Sequence, residues 1–165
     1  MSLFTPEALR TAEVVLQGLR ARNLTLTTAE SCTGGLLSAL LTEIPGSSDV
    51  FTHGYVTYAN AAKTAMIGVT EARIRTHGAV SEDVARAMAE GALQASGAAV
   101  SIAITGIAGP TGATRDKPVG LVHVARGRAG FSTVHQRHVF PGDRSAVRLQ
   151  AVMAALELLQ QQWQR

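Results

Sequence analysis

Residues 25–43 read Thr-Leu-Thr-Thr-Ala-Glu-Ser-Cys-Thr-Gly-Gly-Leu-Leu-Ser-Ala-Leu-Leu-Thr-Glu, and this stretch decides the fold. Its first five residues are rich in Thr and predict a short strand, and the apolar residues at its end predict a helix that stops near Glu43. Between them lie a hydroxyl, a thiol and two glycines, which let backbone N–H groups approach a ligand closely. The stretch therefore predicts an α/β unit with a place for a nucleophile or an anion at Ser31.

The rest of the chain alternates between helical and strand patterns around this unit. We expect helices at about 6–21, 60–67, 71–76, 82–96 and after Asp143, and strands at 51–58, 99–104, 119–125 and 131–140. The last two strands, separated by 126–130, are typical of an antiparallel hairpin. The last helix carries an apolar seam at Leu149, Val152, Leu156, Leu159 and Trp163. The order of elements predicts the α/β class, as a three-layer α/β/α sandwich whose mixed sheet is covered by helices on both faces, in a single domain over 1–165.

Composition excludes several classes of protein. With 46% apolar and 16% charged residues, the chain is not disordered, and its 4% aromatic content argues against a protein that stacks single-stranded bases. The net charge of +3 is scattered, so we expect no nucleic-acid partner. No apolar run approaches the roughly 20 residues that span a membrane, and the first ten residues lack the apolar run of a signal peptide. The lone Cys32 excludes a disulfide framework, and we expect a cytoplasmic protein.

Ser31 has two interpretations on residue chemistry alone. It is either a nucleophile or simply a helix N-cap, in which case Glu30 would be a surface carboxylate. Cys32 is a competing nucleophile, although a free cysteine beside an apolar helix is more often a small buried hydrophobe. A cysteine mechanism also wants a histidine base, and none of the five histidines identifies itself.

Three further features could carry chemistry. Lys63, one of only two lysines, follows Tyr58 at a strand-to-helix junction and is either a general base or a solvated surface lysine. The loop 105–112 has three glycines that could cradle a phosphate, or it is a plain tight loop; it is not a Walker A loop. His135 and His138 are separated by an odd number of positions on a strand, so their side chains point to opposite faces of the sheet and we expect no metal site.

Six ordered blocks of sequence resemble a known family. They are Ala29–Leu36, Gly54–Asn60 with Lys63, His77–Ser81, Thr105–Pro110, Lys117–Gly120 and Phe140–Arg144. Together, over about residues 6–160, they are similar to the C-terminal domain of the competence/damage-inducible protein CinA. The resemblance implies hydrolysis of the carboxamide of nicotinamide mononucleotide to nicotinic acid mononucleotide and ammonia, in pyridine nucleotide salvage.

The resemblance also implies roles for individual residues, in a serine amidohydrolase that needs neither a metal nor a cofactor. Ser31 matches the nucleophile, Lys63 the base and Tyr58 the residue that assists them, and the first helical N–H groups after Ser31 are expected to form an oxyanion hole. The expected partner is a small-molecule nucleotide substrate, and a homo-oligomer is compatible with the sequence. The residues expected to bind the substrate are Glu30, Thr33, Gly34, Gly35, Asn60, Thr105, Gly106, Gly109, Gly112 and Arg144.

Two alternatives stay open at this point. One is a non-catalytic module that acts in competence or the DNA-damage response, as the family's name suggests. The other is a cysteine amidase that uses Cys32 in place of Ser31.

Overall fold

The computed structural model describes residues 1–161. The strands are β1 (Leu26–Glu30), β2 (Phe51–Val56), β3 (Val100–Gly106), β4 (Leu121–Arg128) and β5 (Phe131–Val139). The helices are α1 (Pro6–Arg20), α2 (Leu36–Glu43), α3 (Asn60–Ile67), α4 (Glu71–His77), α5 (Glu82–Ser96) and α6 (Arg144–Gln160), with a 3₁₀ turn at Ser47–Asp49. None of the helices in this described part is long and apolar enough to cross a membrane.

All five strands form one mixed sheet in the order β2-β1-β3-β4-β5. β1 pairs in parallel with β2 and with β3, whereas β4 is antiparallel to both β3 and β5. The carboxyl ends of three parallel strands therefore meet at one edge of the sheet, where open α/β folds place their ligands. The predicted fold class and mixed sheet are confirmed.

Apolar side chains form two separate clusters, one on each face of the sheet. The larger cluster packs α1, α2 and α6 against alternate residues of the central strands, such as Ile102 and Ile104. The second packs α3, α4 and α5 against the opposite face, where small residues such as Ala29 and Ala103 leave room for the helices. The alternation of inward side chains along β3 accounts for this division, because successive residues of a strand point to opposite faces.

Side-chain caps start four of the helices, α1, α4, α5 and α6. Thr5 accepts a hydrogen bond from the N–H of Ala8, and Ser81 and Asp143 cap α5 and α6 in the same way. These caps fix where α5 and α6 begin, and Ala79, Val80 and Arg144, which lie close to the caps in sequence, line the cavity described below.

Two details of the sequence prediction need correction. The hairpin turn is only Ala129-Gly130, because β4 continues to Arg128 instead of ending at 125. Leu149 is half exposed, and the buried face of α6 is wider than one seam because it also includes small residues such as Ala151 and Ala155. Trp163, the last residue of the predicted seam, lies outside the described residues.

Candidate active site

Ser31 stands directly after β1, at the carboxyl edge of the parallel strands. Its N–H extends the sheet pairing by donating to the carbonyl of Ile104 at 2.9 Å. The chain then makes a non-helical turn, closed by a hydrogen bond from the N–H of Gly34 to the carbonyl of Ser31 at 3.0 Å, and α2 begins only at Leu36. Ser31 is therefore not the N-cap of α2, which is Gly35, and the expectation of helical N–H groups immediately after Ser31 is wrong.

Glu30 is fully buried and binds the start of α2. Its carboxylate accepts hydrogen bonds from the N–H of Leu37 at 2.9 Å, from the N–H of Ser38 at 3.0 Å and from the Ser38 hydroxyl at 2.7 Å. A carboxylate at the positive end of a helix is stabilised by those N–H groups. Glu30 is thus neither a surface carboxylate nor placed to contact a substrate.

Lys63 lies next to Ser31 and is the largest fully buried side chain within residues 1–161. Only 1% of its surface is exposed, so the interpretation as a solvated lysine is wrong. Its Nζ lies 3.1 Å from Ser31 Oγ, 2.9 Å from the carbonyl oxygen of Thr57 and 3.4 Å from that of Tyr58. Burial lowers the pKa of Lys63 below its usual value of 10.5, because desolvation penalises the ammonium.

Cys32 is a poor candidate for the nucleophile. Its side chain is buried in the larger apolar cluster, and burial raises the pKa of the thiol to about 11. Since the thiolate is the reactive form of cysteine, this thiol is unreactive near neutral pH.

Tyr58 contributes two different groups to the site. Its carbonyl contacts Lys63, but its hydroxyl is turned toward Arg144, whose Nη2 donates to it at 3.1 Å. Arg144 also donates from Nη1 to the carbonyl of Gly109 at 2.8 Å. Arg144 therefore joins the tyrosine hydroxyl to the glycine loop (105–112), and within residues 1–161 that hydroxyl makes no hydrogen bond with Ser31 or Lys63.

A cavity of about 250 Å³ opens above Ser31 and Lys63. Nine of the predicted site residues line it: Ser31, Tyr58, Asn60, Lys63, Thr105, Gly106, Gly109, Gly112 and Arg144. Four others, Glu30, Thr33, Gly34 and Gly35, do not line it. They belong to the turn that positions Ser31 or to the start of α2.

Most residues of the glycine loop line this cavity. Gly109 and Gly112 have φ values of +81° and +97°, and a Cβ at Gly109 would lie 2.4 Å from Cγ1 of Val119, so only glycine fits there. Within residues 1–161, no hydrogen bond uses the N–H groups of Ala108, Gly109, Thr111 or Gly112. Such unpaired N–H groups beside an arginine suit an anionic group.

Sequence reasoning missed two side chains near the site. Arg148 of α6 donates to the carbonyls of Cys32 and Thr33, across 116 and 115 residues of chain, and its spacing of four from Arg144 is the only signal in the sequence. His123 pairs with His135 at 2.8 Å on the α5 side of the sheet. Among residues 1–161 there is no group of three or more His, Cys, Asp or Glu side chains that could hold a metal ion.

A buried lysine amine in contact with a serine hydroxyl, at the carboxyl edge of the parallel strands, has the geometry that a serine nucleophile with a lysine base would need. The model of the CinA C-terminal domain matches residues 8–163, so the chain belongs to the CinA C-terminal domain family.

Named relatives and solved structures agree with this membership. The chain is 50% identical over 157 residues to the nicotinamide-nucleotide amidohydrolase PncC of Escherichia coli K12, covering 95% of each protein. It is 52% identical over 149 residues to a putative competence-damage inducible protein of Symbiobacterium thermophilum, covering 86% of this chain and 35% of that one. The crystal structure of the competence/damage inducible protein CihA from Agrobacterium tumefaciens has a TM-score of 0.95 and 44% identity, with 98% of each chain covered.

Proposed function

We propose that this chain is a nicotinamide-nucleotide amidohydrolase. It hydrolyses the carboxamide of nicotinamide mononucleotide to nicotinic acid mononucleotide and ammonia, a step of pyridine nucleotide salvage. The full-length similarity to the Escherichia coli enzyme supports the reaction. The contact of 3.1 Å between Lys63 Nζ and Ser31 Oγ, inside a cavity, carries the proposed mechanism.

The contacts of Lys63 Nζ support proton transfer from Ser31 to a neutral amine. A neutral amine has two N–H donors and one lone pair, and the carbonyls of Thr57 and Tyr58 accept those two N–H groups. The lone pair then faces Ser31 Oγ and accepts the hydroxyl proton. The same two carbonyls stabilise the ammonium once the proton has moved.

The reaction then proceeds in two halves. Ser31 Oγ bonds to the carboxamide carbon while its proton goes to Lys63, and the C–N bond breaks as Lys63 returns that proton to the departing nitrogen, which leaves as ammonia. Water attacks the resulting ester and gives a proton to Lys63, the bond between the acyl carbon and Ser31 Oγ breaks, and Lys63 passes that proton to Ser31 Oγ, which restores the hydroxyl and the neutral amine. The N–H group of Cys32, a residue that lines the cavity beside Ser31, is used by no hydrogen bond within residues 1–161 and is the candidate donor to the oxyanion.

The glycine loop and Arg144 are placed to hold the nucleotide. The glycine loop, with its unpaired N–H groups, and Arg144 line the same cavity as Ser31 and Lys63. A phosphate bound there would orient the carboxamide toward Ser31, so that binding energy from the phosphate lowers the barrier at a distant bond.

Ammonia release from nicotinamide mononucleotide by the purified chain tests this function. We expect turnover that survives a chelator and is lost in Ser31→Ala. Absence of turnover in the wild-type chain would contradict the proposal and favour a non-catalytic role in competence or the damage response, which the name of the Symbiobacterium thermophilum relative suggests.

A further inference from the structure

Lys117 and the segment 77–81 belong to two sequence blocks that the proposed mechanism leaves without a role. In the structure they meet, because Lys117 Nζ donates a hydrogen bond to the carbonyl of His77, the last residue of α4, at 2.8 Å. The final carbonyls of a helix have no partner within the helix, and a lysine ammonium is suited to bind them. Gly78 leaves room for this contact, since a Cβ there would lie 2.7 Å from Lys117 Nζ.

The segment 77–81 is part of the cavity wall. Ala79 and Val80 line the cavity together with Thr105, the first residue of the glycine loop. Thr105 Oγ1 donates a hydrogen bond to the carbonyl of Ala79 at 2.8 Å. The segment is therefore bound by a side chain at the start of the glycine loop, Thr105, and by a second one that follows the loop, Lys117.

Residues 110–116 form the exposed part of the cavity wall. Every one of them is exposed to solvent, yet Thr111 and Gly112 line the cavity. Within the part of the chain that the structure describes, no residue of this stretch makes a hydrogen bond to another element. Such bonds lie only at its two ends, where Arg144 donates to the carbonyl of the preceding glycine and Lys117 donates to the end of α4.

The contact of Lys117 holds the far end of this exposed stretch. The N–H of Thr114 donates to the carbonyl of Lys117 at 2.9 Å, so a fixed Lys117 also restrains the residues just before it. Unpaired N–H groups bind an anion well when they already converge on one place. If the stretch is mobile, the phosphate must order it on binding, and the apparent affinity falls with the fraction of molecules whose loop is in place.

We propose that Lys117 is a positioning residue for the nucleotide: by binding the His77 carbonyl, it holds the stretch 110–116 against the segment 77–81 before the phosphate arrives. This inference rests on the proposed function. Lys117 does not line the cavity, so it acts through the loop and not by contact with the reacting atoms. Because the loop is ordered once the nucleotide is bound, losing Lys117 raises KM and leaves kcat nearly unchanged.

Kinetics of Lys117→Met on two substrates test the proposal, with Arg115→Met as the matched control. Arg115 lies in the same exposed stretch and has the same charge, but within residues 1–161 its side chain makes no hydrogen bond or ion pair. A hydrogen bond from a charged donor can shift an equilibrium about tenfold, so we expect Lys117→Met to raise KM for nicotinamide mononucleotide about tenfold. Its KM for nicotinamide riboside, which has no phosphate, should change less than about twofold, as should both KM values of Arg115→Met.

Tryptic cleavage after Arg115 separates this inference from the proposed function, because it needs no nucleotide. Trypsin cuts after Arg and Lys but not before Pro, and Pro118 follows Lys117, so Arg115 is the one tryptic site within 110–117. Cleavage of a loop proceeds through its open form, and we expect cleavage after Arg115 to be about tenfold faster in Lys117→Met, as followed by mass spectrometry. Cleavage at the other Arg residues of the same chain is the internal control for global unfolding.

Several outcomes would overturn the role of Lys117. They are a wild-type KM for the mononucleotide in Lys117→Met, an equal rise in KM for the riboside, an equal effect of Arg115→Met, or cleavage after Arg115 at the wild-type rate. If Lys117→Met fails to fold, Lys117→Gln, which is shorter than lysine and uncharged, takes its place in both tests. If the wild-type chain releases no ammonia, the proposed function fails while the cleavage rates still decide whether Lys117 holds the loop.

Discussion

Two buried polar pairs lie against the same sheet, and only one has the features of a reactive site. Ser31 and Lys63 meet at 3.1 Å at the carboxyl edge of the parallel strands, and His123 and His135 meet at 2.8 Å on the antiparallel strands. Burial lowers the pKa in both places, for Lys63 below its usual value and for His123 to about 4. Only the first pair lines the cavity. A lowered pKa therefore reports burial, and a reactive site also needs a nucleophile and access for the substrate.

The largest expected effect comes from removing the nucleophile of the first pair. Ser31→Ala should lower ammonia release from nicotinamide mononucleotide by at least about a thousandfold, because the hydroxyl forms the acyl intermediate. Cys32→Ala should keep most of the activity, since its thiol stays protonated near neutral pH. Steady-state assays of both variants test this contrast. An active Ser31→Ala protein would contradict the assignment of Ser31 as the nucleophile.

Replacing the base should have the next largest effect. Lys63→Arg keeps a positive charge but cannot become neutral at working pH, so we expect kcat to fall by at least about a hundredfold. Lys63→Met serves as the control that removes the charge as well. Turnover near the wild-type rate in Lys63→Arg would show that Lys63 acts only as an electrostatic anchor.

Removing the phosphate from the substrate should have a smaller effect than replacing Ser31 or Lys63. The cavity that these two residues line also contains the glycine loop, which is expected to bind the phosphate. Nicotinamide riboside, which lacks only the 5′-phosphate, should react with a kcat/KM at least about tenfold below that of the mononucleotide, and free nicotinamide should be poorer still. The loss should appear in kcat as well as in KM. Equal values for the three compounds would leave the glycine loop without its role in binding the phosphate.

The histidine pair should give the smallest effect on catalysis and a visible effect on stability. We expect His135→Gln to keep kcat within about twofold of the wild-type value. Because burial depresses the folded pKa of His123 and of His135, the unfolded chain binds more protons below about pH 6.5. The free energy of unfolding of the wild-type chain should then fall as the pH drops from 6.5 toward 4, and less steeply in His135→Gln. Urea unfolding at several pH values measures this change in stability. A large loss of kcat in His135→Gln would show that the histidine pair also contributes to catalysis.

Local patterns account for most of the predicted fold. Thr5, Ser81 and Asp143 start helices through hydrogen bonds to N–H groups only three residues away, so their sequences contain the whole signal. The apolar run of β3 predicts a strand buried on both faces, and its burial confirms it. The predicted hairpin turn is too long because charged side chains such as Arg126 and Arg128 are typical of a turn, whereas in the structure β4 continues to Arg128.

The site depends on contacts that no local pattern specifies. The scarcity of lysine pointed to Lys63, but its burial follows from the packing of α3 over the turn at Ser31, 32 residues away in sequence. Glu30 was misread because its partners are the N–H groups of a helix that begins six residues later. Arg148 reaches the same turn from the last helix, and such long-range pairing arises only once the sheet has brought β1 and α6 together.

The pH dependence of kcat/KM for the wild-type chain on nicotinamide mononucleotide tests the Ser31–Lys63 pair most directly. The base must be neutral, and its pKa is lowered from 10.5 by burial. We therefore expect kcat/KM to rise with pH in proportion to the neutral fraction of Lys63 and to level off at a pH below 10.5. A profile that is flat, or that falls as the pH rises, would contradict the assignment of Lys63 as the base.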